Sequence, residues 1–291
     1  MASITNSLRE LAGAYLTEQC SVIIDAEPGL RQREPIIHPT RVGVRRLRST
    51  LRTYAPLFDP ERAADLEREL VWWAGLLGVV RDLDILGARL AQQLDELPAE
   101  LVIGPIARQI QTEIEVQHHA GWQEVQSTLD SDRYRALVAD LRRWRSDTPF
   151  TEKADVPADK VQKYVNKASA KLDLRLARAM AAYSSKDGAH DDEADEYFHS
   201  ARKAGKRARY AVELAQPLWG DEADKIISAR KDLQDVLGEH QDSIVSASFL
   251  RSQGVRMGIR SGHNGFTYGL LYARELARRD AVGEELKPFL S

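Results

Sequence analysis

Apolar positions recur every three or four residues along nearly the whole chain, and no stretch alternates apolar and polar residues between hairpin turns. This periodicity predicts an all-α protein with helices near 3–26, 38–54, 59–94, 105–131, 133–146, 158–184, 194–216, 220–251 and 262–282. Breakers mark several of the limits. Pro28 and Gly29 follow the first helix, Pro98, Gly104 and Pro105 separate the third from the fourth, and four glycines from Gly254 to Gly265 precede the last. The segment 147–157 (DTPFTEKADVP) has two prolines and no helical apolar face, so it reads as a linker, and 184–192 reads as a second, polar loop. The expected architecture is two four-helix bundles related by an internal pseudo-two-fold repeat: residues 1–148, a linker at 149–157, and residues 158–291.

The repeat is explicit in the residues. His38-x-x-Arg41-x-x-x-Arg45-Arg46-x-Arg48 recurs as His199-x-x-Arg202-x-x-x-Lys206-Arg207-x-Arg209, at an offset of 161, and the same offset pairs Pro56, Leu57 and Phe58 with Pro217, Leu218 and Trp219. Leu77-Gly78-x-x-Arg81-Asp82 is echoed by Leu237-Gly238-x-x-Gln241-Asp242 at an offset of 160, which a single deletion explains. Duplication of one four-helix unit follows, and a composite groove between the halves is the place expected for a shared site.

Composition narrows the class. With 43% hydrophobic and 29% charged residues the chain is folded and globular rather than disordered. A lone cysteine, Cys20, excludes an intrachain disulfide and a thiolate zinc cluster. The first twenty residues lack the pattern of a secretory signal, and the longest apolar run, 71–80, is about half a bilayer span, so it reads as a buried helix segment in a cytoplasmic protein with no membrane partner. A net charge of −3 argues against a general nucleic-acid binder, but the charge is sorted: five arginines and no acid lie in 41–52, and six acids with no base in 187–196.

At about 100° per residue, with His38 at zero, Arg41, Arg45, Arg48 and Arg52 fall at about 300°, 340°, 280° and 320°. They form one cationic stripe. Val44, Leu47, Leu51 and Tyr54 lie beside and opposite it as a core-facing face. In the second copy His199, Arg202, Lys206 and Arg209 take the first four stripe positions, and Ala201, Ala204, Ala208 and Val212 take the packed side. Charged surface helices usually interleave acids with bases, and 41–52 contains none, so the guanidiniums repel until a partner supplies negative charge. Arginine forks match phosphate oxygens in paired hydrogen bonds, which points to a phosphate-bearing polyanion. Arg46, Lys203 and Arg207 join the candidate ligands, and His38 and His199, each one turn before the first arginine, are expected to donate a ring N–H. Asp82 and Asp242 are expected to orient basic side chains; Asp82 and Asp84, two apart, point about 200° from each other and do not share a metal.

Competing chemistries find less support. His190-Asp191 is half of a metal site at most, His118 and His119 point to different sides of a helix, and there is no glycine-rich phosphate loop or nucleophile elbow. A non-enzymatic binding protein with no metal and no cofactor is expected. Single-stranded RNA is the alternative ligand, but the stripes carry no exposed aromatic for base stacking, with Tyr210 the one doubtful case.

The motifs that begin at His38, Leu77, His199 and Leu233 (LQDVLGEHQD) resemble the CHAD family, the conserved histidine α-helical domain, and helix order extends the resemblance over essentially the whole chain. The resemblance implies two pseudo-symmetric four-helix bundles that bind inorganic polyphosphate on a basic central surface and associate with polyphosphate granules. Many members are fused to a CYTH-type triphosphatase with an amino-terminal Glu-x-Glu-x-Lys motif, which this sequence does not contain; the chain is expected either to stand alone, with a CYTH-type or other polyphosphate-metabolising protein as a partner, or to be the accessory domain of a CYTH-type triphosphatase.

Overall fold

The computed structural model describes residues 6–184, 192–259 and 264–290. Among these, helices α1 (Leu8–Ile24), α2 (Glu27–Arg31), α3 (Ile37–Thr53), α4 (Pro60–Asp95), α5 (Ile106–Leu129), α6 (Asp132–Ser146), α7 (Val161–Ser184), α8 (Asp192–Trp219), α9 (Asp221–Ile259) and α10 (Phe266–Leu286) follow in order, with no β-strand. The all-α expectation is borne out. Side-chain caps fix two of the starts: the Ser7 hydroxyl accepts from the Glu10 amide, and Ser131 accepts from Tyr134.

Three limits differ from the sequence reading. Pro28 lies in the first turn of the short helix α2 rather than ending a segment, because proline fits there, where its missing N–H is not needed. α8 runs on through Pro217 to Trp219 and stops at Gly220, whose φ of +51 favours glycine. α9 continues through Gly254 and Gly258, and a Cβ at Gly254 would stand 3.2 Å from that of Tyr268, so this glycine serves close packing and not a break. The expected loop 184–192 and His190-Asp191 lie almost wholly outside the described residues, as does the expected start of the last helix at 262.

By contacts the chain forms two compact units, the first comprising 1–80, 121–174 and 203–232, the second 81–120, 175–202 and 233–291. These units are groupings by packing, whereas the expected halves, 1–148 and 158–291, are groupings by repeated sequence; the repeat stays an expectation. The first unit packs around Leu47, Tyr54, Leu70, Trp73, Leu77, Tyr134 and Leu141, with Ala211, Val212, Leu214 and Ala215 of α8 in the same core. Residues 149–157 belong to this unit and are tied into it: Pro149 O accepts from the Asp59 amide at 2.8 Å, the Thr151 amide donates to Leu57 O at 2.8 Å, and Val156 O accepts from the Leu8 amide at 3.0 Å. The run 71–80 is only half buried, since Val71 and Val79 face outward while Trp73, Leu77 and Val80 enter the core. A helix inevitably turns part of any continuous apolar run to the surface.

The second unit has a smaller core of Leu83, Leu86, Leu90, Ile106, Ile110, Leu250, Tyr268 and Leu271. It also holds a buried ion network. Arg89 donates to both oxygens of Glu275, at 2.7 and 2.6 Å, and to both of Glu239, at 2.7 Å each, and Glu275 is fully buried. Burial opposes the Arg89 charge, but the hydrogen bonds and charges of the two carboxylates outweigh it and raise its pKa; Glu239 is correspondingly held below the ordinary carboxylate range.

Candidate functional site

α3 carries the first basic motif. Its apolar face is buried through Ile37, Val44, Leu47 and Leu51, which fixes the arginine stripe on the opposite, partly exposed side. Arg41 donates from Nη1 to the carbonyl of Gly78 at 3.3 Å, so the Leu77-Gly78 motif supports the first arginine of the stripe. Arg45 is half-buried and has no carboxylate partner among the described residues; its Nε is buried without an acceptor. His38 is exposed at the second position of α3.

α8 carries the second motif, and its stretch from Lys203 onward lies in the same unit as α3. Buried Ala204, Ala208 and Ala211 present little bulk, and there the two helices come together: the Tyr54 hydroxyl donates to the Ala211 carbonyl at 2.9 Å. From α9, Arg230 donates to the Ala208 carbonyl and to the Ser169 hydroxyl, and burial lowers its pKa. His199 does not open its helix but lies two turns inside α8, after a first turn of Asp192, Glu193 and Asp195, and its Nδ1 meets Gln241 Oε1.

The expectation that the arginines lack acidic neighbours is overturned. Arg52 Nε donates to Glu67 Oε1, and Arg48 Nη2 stands 3.9 Å from the same oxygen. Arg46 Nε donates to Glu213 Oε2 at 2.7 Å, and Arg209 Nε lies 3.2 Å from Glu213 Oε1, an ion pair without hydrogen-bond alignment. The acids come from other turns of the fold: Glu67 from α4, and Glu213 from α8 itself, one turn beyond Arg209. Sequence reasoning missed both because it looked for acids only within 41–52. Burial opposes the Arg46 charge, yet Glu213 more than compensates and raises its pKa, whereas Arg48 is lowered by burial and by the neighbouring Arg52.

The other candidates are placed as follows. Arg202, Lys206 and Arg207 are half-buried on α8, and Lys203 is exposed with no ion pair among the described residues. Asp82 is exposed and Asp242 half-buried. Their orienting role remains a proposal, while Glu67 and Glu213 orient four of the arginines. Asp84 instead meets His118 Nε2 at 2.9 Å, which occupies that histidine in a hydrogen bond. Tyr210 is buried, with the Arg46 and Arg209 guanidiniums 5.9 and 5.0 Å from its ring centroid. Among the described residues no group of three or more histidine, cysteine, aspartate or glutamate side chains is placed to hold a metal, and no helix is long and apolar enough to cross a membrane.

Fold and site together define an all-α protein whose distinctive chemistry is a set of guanidiniums on two packed, similar helices. Residues 14–251 match the CHAD domain family, and the chain belongs to that family. The uncharacterized proteins MT2285 and Rv2226 of Mycobacterium tuberculosis are each 33% identical over 258 residues, covering 87% of this chain and 47% of theirs. The chain thus spans about half the length of the curated relatives it matches. Among solved structures, the CHAD domain from the plant Ricinus communis aligns with a TM-score of 0.72 at 26% identity, covering 98% of this chain and 93% of that one. PptA from Streptomyces chartreusis aligns with a TM-score of 0.78 at 20% identity, covering 98% and 99%, a likeness of fold.

Proposed function

We propose that the chain binds inorganic polyphosphate, without turning it over, through the histidines, arginines and lysines of the two repeated motifs on α3 and α8. The observation that carries this reading is Arg45. It is a half-buried guanidinium in the middle of the α3 stripe, its Nε lacks an acceptor, and no carboxylate reaches it among the described residues. A buried donor without an acceptor is costly, and an incoming phosphate oxygen supplies one. CHAD membership supports the same ligand.

RNA is disfavoured by a second observation: Tyr54 and Tyr210, the aromatic residues of the two motif helices nearest the cations, are buried, so neither offers a platform for a base. Association with polyphosphate granules, and partnership with a polyphosphate-metabolising domain, extend the proposal. The test is a binding titration against long-chain polyphosphate, pyrophosphate and single-stranded RNA at two salt concentrations, with the variant Arg45→Ala/Lys203→Ala/Lys206→Ala alongside. Tight binding of long-chain polyphosphate, lost in a variant with unchanged helicity, is expected. Equal binding of RNA at equal phosphate concentration, or full binding by the variant, overturns the reading.

A further inference from the structure

Resting on that reading, we propose that Glu67 and Glu213 are specificity-determining residues: they make the site discriminate long phosphate chains from short ones by occupying its guanidiniums until a tethered phosphate displaces them. Each carboxylate bridges two arginines of the proposed site, Glu67 those at 48 and 52, Glu213 those at 46 and 209. Neither is freely solvated. Glu213 is 10% exposed and also accepts a hydrogen bond from the Tyr15 hydroxyl at 3.2 Å, and Glu67 is 22% exposed.

The two halves reach this arrangement by different routes. At the repeat offset of 161, the residue equivalent to Arg52 is Glu213, so the fifth position of the stripe is basic in the first copy and acidic in the second. The first copy takes its carboxylate from α4; the second builds it into the stripe itself. Both end with one acid shared between two arginines.

The consequence for binding follows from effective concentration. A carboxylate held by the fold faces its arginines as a tethered ligand, at an effective concentration on the order of millimolar or above. A free phosphate or pyrophosphate at lower concentration loses that competition. A long chain anchored at Arg45 and Lys203 presents its next phosphates as tethered ligands too, so it competes on equal terms. On α3 the reach needed is about 4.5 Å along the axis from Arg45 to Arg48 and about 10 Å to Arg52. A pyrophosphate anchored at Arg45 does not span to Arg52; an extended chain does.

The experiment compares wild type, Glu67→Gln, Glu213→Gln and the control Glu69→Gln, whose residue pairs with Arg133 away from both motifs. Calorimetric titrations use long-chain polyphosphate and pyrophosphate, with thermal melts confirming the fold. In each site variant, pyrophosphate affinity should rise roughly tenfold, the effect of trading one charged hydrogen-bond partner for a neutral one. Long-chain affinity should rise by much less, so the ratio between the two ligands falls; the control should match wild type. An unchanged ratio in the site variants overturns the inference while leaving polyphosphate binding intact. Absence of long-chain binding by wild type overturns the underlying reading instead. If Glu213→Gln melts early, Glu67→Gln, at the more exposed position, decides the matter alone.

Discussion

The salt dependence of polyphosphate binding is the measurement that distinguishes a row of open cations from a partly self-neutralised one. Each phosphate neutralised by lysine or arginine releases condensed counterions, so the logarithm of affinity falls linearly with the logarithm of salt concentration, by about 0.7 per contact for a single strand. Of the ten lysines and arginines of the proposed site, Arg46, Arg48, Arg52 and Arg209 are held by Glu67 or Glu213. Releasing those four to the ligand steepens the slope by about 3. Between 50 and 200 mM salt that adds roughly 50-fold to the loss of affinity. Titrations of fluorescently labelled polyphosphate at four or five salt concentrations resolve the difference. The Glu67→Gln/Glu213→Gln double variant is expected to show a slope steeper than wild type by up to about 3. A wild-type slope near zero refutes the contact reasoning altogether, and equal slopes in wild type and double variant refute the role given to the two acids.

Three further outcomes follow from the second unit. Arg89→Ala leaves Glu275 fully buried with only Gln93 and, at 3.7 Å, Arg278, so a loss of about 3–5 kcal/mol is expected by chemical denaturation, and a loss under about 1 kcal/mol contradicts the ion network. Because Arg89 holds the Glu239 pKa below its unfolded value of about 4.3, the stabilisation is fully present above that pH and is lost as pH falls through the folded value. The melting temperatures of wild type and Glu239→Gln should therefore converge on acidification from about pH 5 to about pH 3, and a constant difference counts against the pair. Gly283→Ala places a methyl group against the Tyr183 ring and should cost about 1–3 kcal/mol, relieved in the double variant with Tyr183→Ala; an unperturbed melt of the single variant shows that the contact yields freely.

Helical periodicity carried most of the fold, because each long helix buries one continuous apolar face, and α3 appears in the structure within one residue of its expected limits. What it misread were residues whose meaning depends on position within a turn or on a neighbour. Pro28 is compatible with a helix start as well as a stop, and Gly254 is small because Tyr268 lies against it. The ion pairs were less legible. The rule that pairs charges three or four residues apart sees along one helix, and Glu67 reaches Arg48 and Arg52 from α4. Two signals were nevertheless present. Arg46 falls at about 80° on the wheel of α3, far from the stripe, which places it toward a neighbour rather than on the open face. Reading the second stripe to its fifth position reveals Glu213 where the first has Arg52.

That inversion has a structural cause that is independent of any ligand. Small residues on α8 let it approach α3 closely enough for Tyr54 to bond the Ala211 carbonyl, and the same approach brings Arg46 onto the α8 stripe beside Arg209 and over the Tyr210 ring. A faithful repeat would put a third guanidinium there, at a position now only 10% exposed, with no counter-charge and little water to screen it. One substitution of sign removes that penalty and, on the proposed function, leaves Arg45 and Lys203 to receive an external anion. Packing two similar basic helices against each other and keeping them open to a polyanion would be opposed requirements, since every internal acid that stabilises the unliganded fold would also compete with the ligand. On that proposal, placing the acids at the ends of the stripes, on Arg52 and at position 213, rather than at Arg45 in the middle, reconciles the two: the centre would capture the chain, and the ends would be contested only by a ligand long enough to reach them.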